Sequence, residues 1–149
     1  MIKFLLVVLN VIVLVSCDKG AETPEGLIKM YIQDLTQKKV DRTYFDKYTT
    51  GKLLETVTNL NDEEFKKFVG VEKLANPRID ISNKNCQPNK CTLTYIVKYD
   101  IIEKNSKEFS SEVKKVATLI KEDTIWKISE VTNVKTFIEG AKPIEVLNN

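Results

Sequence analysis

From Phe4 to Val15 every position is apolar except Asn10, and Lys3 is the one charge ahead of the run. About twelve such residues suit the apolar segment of a secretory signal, which needs roughly 7–15, and fall short of the roughly twenty that span a bilayer. The pattern predicts a cleaved export signal over residues 1–16. A small, polar stretch at 17–22 reads as a tether. The apolar period then becomes that of a helix. Thr23 can cap a helix opening on Pro24, and Leu27, Ile28, Tyr31, Ile32 and Leu35 form one stripe running to about Lys38. Asp41 precedes a short helix over 42–48, and Thr49-Thr50-Gly51 leads to another from Lys52 to about Thr58. Asn61 with Glu64 forms a capping box for a further segment carrying Phe65, Phe68 and Val69 before Gly70.

The second half has period two. Isoleucines alternate with polar residues from Arg78 to Lys84, and Leu93, Tyr95, Val97, Tyr99 and Ile101 alternate strictly between Cys91 and Ile102. Lys104-Asn105-Ser106-Lys107 is a turn, and Glu108 to Lys121 is a strand with mismatched parity. Phe109 and Val113 share one face, Val116 and Ile120 the other, so a bulge near Lys114 or Lys115 is expected. Glu122-Asp123 turns into a last strand, Thr124 to Val131, with Trp126 and Ile128 on one face. The expected fold is α+β, with N-terminal helices packed in a curved, antiparallel four-stranded meander over 23–132. Residues 133–149 read as a C-terminal tail. Val134, Phe137 and Ile138 offer an apolar edge there, but Gly140, Pro143 and Asn148-Asn149 point to an extended end.

Leu14-Val15-Ser16-Cys17, followed at once by Asp18, resembles the lipobox of bacterial prolipoproteins. The resemblance implies that the Cys17 thiol is acylated with palmitate-like chains and that residues 1–16 are removed. The mature chain would then be anchored to membrane lipid through Cys17. Two or three acyl chains hold stably where one holds marginally. That places the protein in the bacterial cell envelope, facing the periplasm or exterior, with inner and outer membrane both open. A tether of about six residues reaches roughly 20 Å. Of three cysteines, Cys86 and Cys91 remain, and in an exported chain they are expected to form a disulfide across the turn-rich Gln87-Pro88-Asn89-Lys90. A redox-active pair or free thiols are the alternatives.

Losing Lys3 with the signal leaves 22 basic against 21 acidic residues, interleaved along the chain, so no phosphate-tracking patch for nucleic acid is visible. There is no histidine and no second cysteine pair to complete a zinc site, no glycine-rich phosphate loop and no serine elbow. No metal, cofactor or catalytic residue is expected. The Thr23-Pro24-Glu25 helix start, the aromatic Tyr44, Phe45 and Tyr48, and the Ile125-Trp126-Lys127-Ile128 strand resemble the small lipoproteins of the nuclear transport factor 2-like superfamily. That resemblance implies a cone-like domain with an apolar pocket between helix and sheet. Tyr31, Tyr95, Tyr99 and Trp126 are the candidate lining. The expected role is a non-catalytic module that binds a small apolar ligand, or that assembles with an envelope protein or a second copy. The alternative is a small enzyme of the polyketide cyclase or ketosteroid isomerase type, for which Asp100 and the tyrosines are the available groups. Asp100 has the opposite strand parity and is expected to face solvent.

Overall fold

The structure is a computed structural model and describes residues 19–37, 40–69, 74–103 and 106–140. The signal and Cys17 lie outside the described residues. A 3-10 turn, Lys19–Glu22, leads into α1 (Pro24–Thr36). Thr23 is extended, and its hydroxyl oxygen accepts from the Gly26 N–H at 3.1 Å. That satisfies one of the donors a helix start leaves over, while Pro24 has none to satisfy. Helices α2 (Arg42–Tyr48), α3 (Gly51–Asn59) and α4 (Asp62–Val69) follow. Asp41 caps α2 by accepting from the Tyr44 N–H at 2.8 Å. The capping box at α4 is complete. Asn61 Oδ1 accepts from Glu63 and Glu64, both at 3.0 Å, and the Asn61 N–H donates to Glu64 Oε2 at 2.9 Å. Arg42 sets these helices relative to one another. Its guanidinium donates to the carbonyls of Val57 (3.0 Å) and Leu60 (2.8 Å) at the end of α3, pairs with Asp62 at the start of α4, and lies 4.6 Å from the Phe65 ring centre.

Four strands then run β1 (Leu74–Cys86), β2 (Lys90–Glu103), β3 (Ser106–Glu122) and β4 (Ile125–Gly140), in that order across one antiparallel sheet. Cys86 and Cys91 are opposite partners at the β1–β2 turn, with their sulfurs placed as a disulfide. Every helix precedes every strand, and β1 and β4 stay as the two edges of an open sheet. The cone-like, nuclear transport factor 2-like arrangement expected from the sequence is corrected to an open four-stranded sheet in consecutive order, with the helices on one face.

β2 follows its alternation closely. Cys91, Leu93, Tyr95 and Val97 are wholly buried and Tyr99 nearly so. They face, in order, Leu119, Ala117, Lys115, Val113 and Ser111 of β3, with no interruption between. The bulge expected in β3 is thus corrected. A register shift does occur at Lys114/Lys115, but on the β4 side, where Lys114 pairs with Lys135 and Lys115 with Asn133, leaving Val134 as the extra residue. An inner strand is held by ladders on both sides, whereas an edge strand can take an extra residue with only one ladder to disturb. Val116 and Ile120 consequently stay on the outer face, and Lys115 faces inward. β4 also runs on to Gly140, so residues 133–140 of the expected tail are strand. Val134 and Phe137 are exposed along it.

The core lies between the α1 stripe of Leu27, Ile28, Tyr31 and Ile32, Phe45 of α2, and the inner face of the sheet. A backbone link ties the start of α3 to β4. The Thr50 N–H donates to the Ile128 carbonyl at 3.0 Å, and the buried Thr49 hydroxyl donates to the Phe45 carbonyl at 2.7 Å. Gly51 follows with φ +53°, and a Cβ there would lie 2.7 Å from Ser129 Oγ. Both the left-handed backbone and the close approach demand glycine.

Candidate ligand cavity

Along β3 the inner face passes from core to open space. Leu119 and Ala117 are wholly buried, but from Lys115 through Val113 to Ser111 the helices stand off the sheet and a cavity of about 630 Å³ remains. Its floor is Tyr95 and Tyr99 of β2, the same stretch of β3, and β4 around Val131. Ile32 and Leu35 of α1, Leu53 of α3 and Phe68 of α4 form its walls. Ser111 and Thr136 are too short to fill the gap that longer apolar side chains close elsewhere on the sheet.

Three tyrosines stand at this site. Burial pushes the Tyr31 and Tyr95 hydroxyls well above the ordinary phenol range, with neighbouring phenols adding to the effect, and pushes Tyr99 up to about 12. All three stay neutral donors at any physiological pH. The Tyr95 hydroxyl is buried and has no hydrogen-bond partner among the described residues. Lys115, half-buried, is held below the usual lysine range by desolvation. Among the described residues it forms no ion pair. At the rim the exposed Lys52 ammonium pairs with Glu130, which raises the lysine's pKa. The charged lining is thus Lys52, Lys115 and Glu130, one positive charge in excess.

Of the residues expected to line a pocket, Tyr31, Tyr95 and Tyr99 are brought together. Trp126 is not. It is buried near the start of β4, opposite Lys121, whose ammonium is 6.0 Å from its ring. Asp100 does lie on the opposite face from Tyr95 and Tyr99, but its expected exposure is corrected. It is 7% exposed, because Asn76 (3.2 Å), Arg78 (3.3 Å) and Ser110 (3.3 Å) all donate to its carboxylate. Asn76 reaches it from a left-handed backbone, φ 49°, at the irregularity in β1. The acid–tyrosine pair of the enzyme alternative is therefore split between two faces of the sheet. Among the described residues no cluster of three metal-ligating side chains occurs. Lys115 was not among the expected residues. The signal was present in the alternation of Val113, Ala117 and Leu119, which puts position 115 on their face.

No family model matches the chain, and no curated protein does. Among solved structures, the solution structure of a SEC-C motif containing protein from Rhodopseudomonas palustris is similar over 78% of this chain and 82% of that one, at a TM-score of 0.58 and 13% identity. At that identity the likeness extends to the fold alone. It also overturns the nuclear transport factor 2-like fold expected from the sequence. The Thr23-Pro24 start, the aromatic second helix and the Trp126 strand each specify a local element, and local elements do not fix how a sheet is assembled. The chain shares its helices-then-meander fold with a SEC-C motif containing protein.

Proposed function

We propose that this protein is a lipid-anchored envelope lipoprotein whose folded domain binds a small, mainly apolar ligand between its helices and its sheet. The observation that carries the reading is the cavity. Its volume falls within the roughly 300–1,000 Å³ of small-molecule sites, and its walls are aliphatic and aromatic with a few polar groups. Had Tyr95 and Trp126 filled the space, contact with another protein would be favoured. Tyr95 instead forms the floor, and Trp126 packs elsewhere. The anchor rests on the Leu14-Val15-Ser16-Cys17 sequence and its acylation chemistry.

Native mass spectrometry of the full chain taken from its own membrane tests both parts. Acyl mass on Cys17, with residues 1–16 gone, supports the anchor, and an unmodified or uncleaved chain overturns it. A co-purifying small molecule supports the ligand reading. Val113→Trp, which places a large ring over the cavity floor, is expected to remove that molecule while far-UV circular dichroism stays unchanged. A variant that retains the molecule at full occupancy would place it elsewhere.

A further inference from the structure

The charge of the cavity narrows what can occupy it, given that it holds a ligand at all. Lys115 sits where β3 leaves the core, on the same face as Ala117 and Leu119 and directly opposite Tyr95. An ammonium placed among apolar walls loses hydration, and it is tolerated where an anion or several acceptors return what water supplied. Among the described residues no carboxylate does so, since Glu130, the one acid in the lining, is engaged by Lys52 at the rim. The Tyr95 hydroxyl also lacks a partner, but it has no exposed surface, so Lys115 is the donor that a ligand can reach. One unmet cation and one surplus positive charge ask for an acceptor bearing a single negative charge. A phosphate monoester carries more than one charge at neutral pH and is usually received by backbone N–H groups or an arginine fork. Among the described residues no arginine lines this cavity. The remaining lining, with Ile32, Leu35, Leu53 and Val113, suits an apolar body.

We propose that the cavity takes an amphiphilic monocarboxylate, its carboxylate received by the Lys115 ammonium and its apolar body held against the aliphatic and tyrosine walls. Specificity for an acid over its neutral analogue then resides in Lys115.

The test is isothermal titration of the full chain in phosphatidylcholine nanodiscs, with empty nanodiscs as the blank. The probes are 4-phenylbutyrate and its uncharged isostere 4-phenylbutyramide. A charge-assisted contact is expected to give the acid about a tenfold lower Kd than the amide. In Lys115→Met the ratio is expected to fall to about one, and in Lys115→Arg, which keeps the charge, the preference is expected to persist. Thermal unfolding of each variant shows that the fold is intact. Equal binding of acid and amide to the unaltered chain, or a preference that survives Lys115→Met, overturns the carboxylate inference and leaves the ligand-binding reading standing. Absence of binding by both probes overturns this inference, whereas the ligand-binding reading is decided separately by what co-purifies from the native membrane.

Discussion

Tyr31, Tyr95 and Tyr99 carry their hydroxyls into a region where ionisation is disfavoured, and stability inherits a pH dependence from them. An unfolded tyrosine loses its proton near pH 10, while folded Tyr99 keeps its proton to about 12 and the other two hold theirs longer still. Each therefore contributes stability that is fully present below pH 10 and is lost as the pH climbs beyond it, because the unfolded chain releases protons the folded chain retains. Unfolding midpoints are expected to fall between pH 10 and 11.5, and Tyr99→Phe is expected to flatten that fall, with tyrosinate absorbance reporting the ionisation. Tyr95 and Tyr99 were legible because period two makes strand positions countable from the turn at Pro88, and Tyr31 because it falls on the apolar stripe of α1. Lys115 was passed over although Val113, Ala117 and Leu119 share its parity, because a lysine in a strand ordinarily marks the solvent face and the expected bulge moved the inward parity to Val116 and Ile120. Asp100 misled in the same way. Its parity was right, but three donors from β1 and β3 bury it, and no spacing along one strand shows partners on two others.

Among the elements, those fixed by their own neighbours were the readable ones. The box at Asn61 and Glu64 and the cap at Asp41 each lie within three residues of what they satisfy. Asn61→Ala is expected to cost about 1 kcal/mol of stability by equilibrium denaturation, since two N–H groups at the start of α4 lose their acceptor. It should also loosen Phe68 on the cavity wall. The irregular places were read less well, because a bulge belongs to a pair of strands. Mismatched parity in residues 108–121 pointed to an extra residue at the correct level of the sheet. The structure puts it in β4, the edge strand, at Val134. β4 thus runs on through 133–140, residues that Gly140, Pro143 and Asn148-Asn149 had marked as an extended end.

For the whole molecule, one covalent constraint bears on stability. Cys86 and Cys91 close a loop of about six residues, for which the chain-entropy model gives about 2 kcal/mol. The double variant Cys86→Ser/Cys91→Ser is expected to unfold at correspondingly lower denaturant, and the unaltered chain should match it when assayed with reductant. The order of assembly follows from another feature, the packing of α1 against strands as late in the chain as β4. Each strand meets its predecessor as soon as it is made, so the sheet can form progressively. The helix cannot. For the exported chain proposed above, Thr36 emerges from the export channel well before Ile125, so the stripe of Leu27, Ile28 and Tyr31 waits beyond the membrane for its last partner. A chain cut short before Ile125 would keep that stripe without its β4 cover. Time, as much as contact, thus decides how safely this fold is reached.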